Sequence, residues 1–411
     1  MQKDIYQYHT LSNGIRIVFK RVSSAVAYSG VYINVGSRDE LEHEQGMAHF
    51  IEHSIFKGTT HRRSYHILNR IDGVGGELNA FTTKEETCIY ASSLVEHLGR
   101  CLELFSDVLF NSVFPESELE KEREVVVEEI SSYRDMPSDL IFDEFEDQIY
   151  GAHPLAHNIL GSKRNVRHFT SQQVADFFNQ HYTTQKMVIS VVADISFDRL
   201  LRMCERYFGS RECRESPQRR VEVPVPQPFE RYISRRTHQA HLLLGCAAPS
   251  LYDDSKVAFS LINNILGGPA MNSRLNVAIR ERYGFCYTIE SQYVPFCDAG
   301  LFYVYAGTEP DAVERVVELI KRELAKMVSE PITMQQLRAA QRQYIGQMAI
   351  TNDLGMNEMQ SIGKAYLNYD HVDTIEEMSR DILSVTSQDI KEVAGRLFEE
   401  HAFSLLCYRG G

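Results

Sequence analysis

The chain has 411 residues, 43% of them hydrophobic and 24% charged, with a formal net charge of -13. That length accommodates two large cores at roughly 150 residues each, and the composition excludes a disordered chain. The acidic balance argues against nucleic acid as the main partner, and no apolar run is long enough to span a bilayer. In chain order, the N-terminal stretch MQKDIYQYHTLSNGIRIVF carries charges but no apolar h-region, and it lacks the Arg/Ser-rich character of a transit peptide. LSNGIRIVFKRV opens with an Asn-Gly turn and continues as a strand, and VAYSGVYINVGS is a second strand signal. Gly46 to Lys57 reads as a helix, and SYHILNRIDGVGG as another that stops at its glycines. ELNAFTTKEETCIYASSL predicts two strands joined by a charged turn, followed by a helix from about Glu96 to Asn111.

PESELEKEREVVVEEISSYRD predicts one long helix, opened by Pro115 and a Ser117-x-x-Glu120 capping box. SQQVADFFNQHY is a helix, MVISVVADI a strand, and FDRLLRMCERYFG a helix closed by Gly209. The stretch from Ser210 to Phe229 then holds four prolines and no helical period, as an extended linker would. The expected division is therefore 1–209, a linker over 210–228, and 229–411. The second half echoes the first. AHLLLGCAAPS stands where VAYSGVYINVGS stood, VAFSLINNILGG where MAHFIEHSIFKG stood, and GLFYVYAGT where TCIYASSL stood. Setting Gly268 against Gly58 places Phe259, Ile262 and Asn263 at the positions of His49, Glu52 and His53. The order of elements predicts an α+β fold: two homologous domains, each a mixed or antiparallel sheet with helices packed on it.

The chemistry concentrates in MAHFIEHSIFKGT, from Met47 to Thr59. On a helix, His49 and His53 lie one turn apart on one face and can reach one ion, with Glu52 on nearly the same face. Imidazole nitrogen and carboxylate oxygen suit zinc, and a catalytic zinc keeps three protein ligands and one open position. Two surface histidines on a helix are the alternative, so a third ligand decides. In EREVVVEEI, Glu122 and Glu129 are seven residues apart, on one face of the long helix beside a run of valines. A carboxylate beside a buried apolar run needs a partner, and a zinc ion is one; a solvated charge stripe is the other reading.

H-x-x-E-H is the inverzincin signature. With FKGT after it, and with GGELNAFTTKEETCIY and EREVVVEEI downstream, the chain resembles the pitrilysin family of zinc peptidases over its whole length. Within that family the resemblance is to the mitochondrial processing peptidase β-subunit and its small bacterial relatives. It implies the LuxS/pitrilysin-like fold, one zinc per chain held by His49, His53 and Glu129, and Glu52 as general base. Glu122 is implied as a supporting acidic residue outside the metal's ligands. GGELNAFTT resembles the family's edge strand, against which an extended peptide pairs through its main chain, with Asn79, Ala80 and Phe81 lining it; an ordinary hairpin strand is the alternative. IRERYGFCYT resembles the family's second-domain Arg/Tyr pair at Arg280 and Tyr287, expected to contact substrate; a salt-bridged helix-end Arg and a core Tyr are the alternative.

The resemblance implies a zinc endopeptidase of peptides or unfolded segments, working in a chamber of which this chain forms half. A homodimer is the expected completion and a heterodimer with an inactive partner the second choice. A metal-retaining structural or peptide-binding scaffold with little turnover is the competing reading. The eight scattered cysteines include no CxxC pair, which reads as reduced thiols in a cytoplasmic protein; the resemblance to the family's small bacterial members implies a bacterial one.

Overall fold

The computed structural model describes residues 5–213, 220–398 and 403–410. The first half runs β1 (Tyr6–Thr10), β2 (Arg16–Arg21), β3 (Val26–Ile33), α1 (Met47–Ser54), α2 (Ser64–Asp72), β4 (Glu77–Thr82) and β5 (Thr87–Leu94). It continues through α3 (Leu98–Asn111), α4 (Glu116–Arg134), α5 (Pro137–Tyr150), α6 (Lys163–His168), α7 (Ser171–His181), β6 (Met187–Ala193) and α8 (Phe197–Phe208). The second half runs β7 (Glu230–Arg235), β8 (Ala240–Ala247), α9 (Lys256–Gly267), β9 (Cys286–Pro295), β10 (Gly300–Thr308) and α10 (Val313–Ser329). It ends with α11 (Met334–Asn352), α12 (Gly355–Tyr369), α13 (Ile375–Ser384), α14 (Ser387–Leu397) and β11 (Ser404–Gly410).

Two sheets result. The first has the order β1-β2-β6-β3-β5-β4 and the second β7-β11-β8-β10-β9. Without β1, the two orders correspond strand for strand. β2 pairs parallel with β6 as β7 does with β11, and every other neighbouring pair is antiparallel in both sheets. This is the duplicated α+β architecture expected from the sequence. The helix α9 falls where α1 falls in the first sheet's sequence. Its Phe259 and Ile262 are fully buried, and Asn263 accepts a hydrogen bond from Ser291 Oγ at 2.8 Å.

The first sheet is covered on both faces, because apolar side chains point to both sides along its inner strands β2, β6, β3 and β5. Ile17, Phe19, Val31, Ile89 and Val191 join one cluster with α1, α3 and α7. Val18, Tyr32, Cys88, Val188 and Val192 join another with Met359, Ile362 and Tyr366 of α12. Ser190 Oγ donates to the Met359 carbonyl at 2.6 Å, and Lys20 pairs with Glu358. Gly363 permits the close approach: a Cβ there would lie 2.7 Å from the Tyr32 ring. In the second sheet, α5 contributes Ile141, Phe145 and Ile149 to a cluster with Leu243, Tyr303 and Tyr408.

The compact units are therefore not contiguous in sequence. One comprises Met1–Ser131, His157–Arg220 and Ile350–Thr374; the other comprises Ser132–Ala156, Val221–Ala349 and Ile375–Gly411. This differs from the linear division at 209 and 229: residues 132–156, with α5, belong to the second unit and residues 350–374, with α12, to the first. The physical reason is burial, since each helix covers a sheet face formed by the other half of the chain. Part of the expected linker, residues 214–219, lies outside the described residues. At its far end Arg220 belongs to the first unit, where it donates to both carboxylate oxygens of Asp39 at 3.2 and 3.1 Å. The capping box at Ser117 is not formed. The Leu119 amide donates to the Pro115 carbonyl at 3.0 Å, so Pro115 caps α4 and Ser117 already lies inside it. Among the described residues no helix is long and apolar enough to cross a membrane.

Candidate metal centre

Helix α1 is buried through Met47, Ala48, Phe50, Ile51 and Ser54, with the Phe50 ring 5.5 Å from that of Phe169. With that side fixed in the core, the remaining stripe at spacings of three and four carries His49, Glu52 and His53. The two imidazole rings are 4.7 Å apart at an interplanar angle of 64°. On α4, Leu119, Val126, Val127 and Ile130 are buried, whereas Val125 is half exposed. That orientation brings Glu129 to the histidines: its Oε2 lies 3.7 Å from His49 Nε2 and 3.4 Å from His53 Nε2. One donor atom from each of the three residues falls within 4.8 Å of the others.

Glu122 has a different place. Its Oε2 lies 3.4 Å from His53 Nδ1, on the far side of the ring, and its Oε1 accepts from Lys57 Nζ at 2.6 Å. A carboxylate at one ring nitrogen fixes the ring's orientation and leaves the other nitrogen free. Seven-residue spacing put both glutamates on one face of the helix; the distances separate one that meets Nε2 from one that meets Nδ1. Lys57 was not singled out by the sequence, and its position directly after the motif is the signal that was available.

The electrostatics follow this layout. Burial lowers the His49 pKa to about 4, with the charge of His53 adding to that and Glu129 opposing it. Glu122 and Glu129 raise His53 to about 9 against the effect of burial. Burial raises the Glu52 carboxyl above its ordinary value, and Thr82 opposes that shift. Contact with His53 holds Glu129 below the usual carboxylate range despite partial burial. Burial acts upward on Glu122 too, but His53 and Lys57 outweigh it and hold the group low.

A cleft of about 280 Å³ opens beside these groups, lined by Glu52, His53, Phe56, Leu68, Asn79 and Ala80 among others. β4, which carries Asn79 and Ala80, is the terminal strand of its sheet. Phe81 does not line the cleft. Its ring packs edge-on against Tyr32, with ring centroids 6.1 Å apart. In the second unit, Arg280 lies in a π-helical segment over Asn276–Glu281 and donates to Asn276 Oδ1 at 3.3 Å. Tyr287 on β9 is 61% exposed, so it is not a core residue, and its hydroxyl donates to Glu309 Oε1 at 3.0 Å.

The loop after α1 rests on a buried carboxylate that the sequence did not single out. Asp107 on α3 accepts from Thr59 Oγ1 at 2.9 Å and Arg62 Nη1 at 2.6 Å, and meets His61 Nδ1 at 2.6 Å. Thr59 Oγ1 in turn accepts from the amides of His61 and Arg62, which closes the turn.

Comparison with known proteins matches the sequence and the fold to a family. The profile of insulinase (peptidase family M16) matches residues 16–163, and that of the peptidase M16 inactive domain matches residues 168–344. An uncharacterized zinc protease of Bacillus subtilis, YmxG, is 33% identical over 406 residues, covering 98% of each chain. The chain belongs to peptidase family M16. An uncharacterized zinc protease of Mycobacterium leprae is also 33% identical, over 95% of this chain and 89% of its own. Two crystal structures share the fold. A protease from Helicobacter pylori has a TM-score of 0.92 at 21% identity, covering 98% of this chain and 99% of that one. A peptidase M16 inactive domain from Pseudomonas fluorescens has a TM-score of 0.91 at 20% identity, covering 99% of this chain and 98% of that one. The inactive-domain profile lies largely on the half of this M16 chain in which Phe259, Ile262 and Asn263 stand where the first half has His49, Glu52 and His53.

Proposed function

We propose that this M16 member is a zinc-dependent endopeptidase that cleaves peptides or unfolded protein segments inside a dimeric chamber. The observation that carries the reading is the convergence of His49, His53 and Glu129 on one point, with Glu52 on the same stripe of α1. The donor set fits zinc. It offers two imidazole nitrogens and one carboxylate oxygen within reach of one another, the donor types and number of a three-residue zinc site. One zinc per chain is proposed, bound by these three residues. The near-full-length relatives named zinc proteases support it.

When bound there, zinc supplies a lowered water pKa and a polarised substrate carbonyl. Glu52 does the proton work. Its carboxylate, raised by burial, takes a proton from the attacking water and passes it to the leaving amine. Glu122 holds the His53 ring through Nδ1 while Lys57 holds Glu122. β4 offers main-chain hydrogen bonds to an extended peptide, and the cleft beside Phe56 and Leu68 receives one of its side chains. Arg280 and Tyr287 are proposed to contact the substrate carbonyl from the facing domain of a partner subunit. The protein is proposed to act in the bacterial cytoplasm as a homodimer. Digestion of a mixed peptide library, with zinc, with a chelator and after zinc is restored, tests the reading. Cleavage that is lost and regained with zinc is expected; cleavage indifferent to the chelator, or none with zinc bound, refutes it.

A further inference from the structure

Glu40 lies seven residues before Met47, where the motif helix begins. It is 3% exposed, yet both its carboxylate oxygens are used: Oε2 accepts from the Gly46 amide and Oε1 from the Ala48 amide, each at 2.8 Å. These donors belong to the first turn of α1. A helix leaves its first amides without internal partners, and the residue at the cap here is Gly46, which has no side chain to serve them. A carboxyl group spanning two of them satisfies those donors; burial pushes its pKa well above the ordinary carboxylate value, and the Ala48 and Gly46 amides oppose that shift. A buried carboxylate without such donors would be costly, so the contact is specified from both sides.

The surroundings fix this cap in place. Gly46 has φ of +95°, and a Cβ there would lie 2.8 Å from the Leu160 carbonyl oxygen and 2.9 Å from Gly161 Cα. On the other side, the loop that carries Glu40 is bound to the turn between β4 and β5. The Ser37 amide donates to the Thr83 carbonyl at 3.1 Å, the Arg38 amide to the Lys84 carbonyl at 2.8 Å, and the Arg38 guanidinium to Glu85 at 2.6 Å. The chain of contacts therefore runs from the turn that ends the terminal strand β4, through Glu40, to the helix that carries His49, Glu52 and His53.

We infer that Glu40 is a positioning residue for the metal centre: by bridging the Gly46 and Ala48 amides it sets the axial position of α1, and so the reach of His49 and His53 toward Glu129. The inference rests on the zinc reading of the site. His49 follows Ala48 directly, and α1 has only eight residues, so a shift of its first turn is not absorbed before the ligands.

The test uses the full-length protein loaded with cobalt(II), whose visible spectrum reports ligand geometry without turnover. Wild type, Glu40→Ala, Glu40→Gln and Ile362→Val are compared. Ile362 is buried on the opposite face of the sheet and serves as a control for general destabilisation. Glu40→Gln keeps the volume and one acceptor, so it remains informative if the alanine variant does not fold. The expected result is an altered cobalt spectrum and metal loss to a chelator about 10–100-fold faster in Glu40→Ala, the usual effect of a group supporting a ligand. Glu40→Gln falls in between, and Ile362→Val lowers thermal stability with its spectrum unchanged. Folded Glu40 variants with the wild-type spectrum and metal loss within twofold of wild type would overturn the inference while leaving the zinc site standing. A wild-type protein that takes up no cobalt would overturn the zinc reading itself.

Discussion

Replacing Glu129 and Glu122 separately by glutamine should divide two roles that their positions assign. Glu129 Oε2 faces both Nε2 atoms, so Glu129→Gln exchanges the one anionic member of the proposed ligand set for a weak amide oxygen. Glu122 faces only His53 Nδ1, and its other oxygen is bound to Lys57. In Glu122→Gln the amide oxygen can still accept from the ring, but the amide nitrogen would then meet the Lys57 ammonium, two donors in contact. Outer partners of metal ligands are worth about 10–100-fold in affinity. Because one hydrogen bond survives, Glu122→Gln is expected near about 10-fold and Glu122→Ala near about 100-fold, or about 1.4 and 2.8 kcal/mol at 1.4 kcal/mol per decade. Glu129→Gln should exceed both. Zinc content after dialysis, followed by competition against a calibrated chelator, measures this. Equal losses in the two glutamine variants, or a greater loss in Glu122→Gln, would show that the carboxylates had been given the wrong roles.

Asp107→Asn should destabilise the first unit by about 3 kcal/mol, the low end for breaking a buried ion pair, because Arg62 keeps Glu103 as a partner at 2.7 Å. Burial acts upward on the Asp107 pKa, but His61, Arg62, Thr59 and Asn111 together hold it below its ordinary value. Its contribution is therefore complete above the unfolded value of about 3.9 and is lost as pH falls through the lower folded value; in denaturant titrations the gap between wild type and variant should be constant at neutral pH and close only in that acid range. Gly363→Val places a Cβ 2.7 Å from the Tyr32 ring and 2.9 Å from Ser190 Cβ, and should cost about 1–3 kcal/mol; unchanged stability would mean that α12 can move off the sheet. Mixing Glu52→Gln with a protein carrying Arg280→Ala and Tyr287→Phe, under subunit exchange, should restore activity toward half of wild type per mixed dimer if sites are completed in trans, and leave it low if each chain builds its own.

Much of the site was legible because its signal is local. The i, i+3, i+4 spacing of His49, Glu52 and His53 depends only on helical periodicity, and so does their placement opposite Phe50 and Ile51. The choice between Glu122 and Glu129 is different, since residues two turns apart share a face and only the height of α4 against α1 separates them. Along β4 the alternation of side chains carried information that was not used: Ala80 and Phe81 cannot face the same way, and Phe81 goes to Tyr32. The duplicated sheets were legible in the echo of AHLLLGCAAPS and VAYSGVYINVGS. The exchange of α5 and α12 was not, because an amphipathic pattern shows that a helix covers something apolar without showing which sheet. Glu40 lay unnoticed in an acidic stretch, RDELEHE, where nothing in residue type distinguishes a carboxylate that caps a helix from its solvated neighbours.

The central claim is that Glu52 acts as a proton carrier beside a metal that it does not bind. The most direct measurement is zinc content and peptide turnover on the same preparation of Glu52→Gln. Zinc should remain at one per chain, because the proposed ligands are His49, His53 and Glu129, while turnover falls at least roughly 100-fold, the low end of a general-base contribution. Turnover comparable to wild type with zinc in place would contradict the mechanism, and loss of zinc from Glu52→Gln would contradict the assignment of ligands.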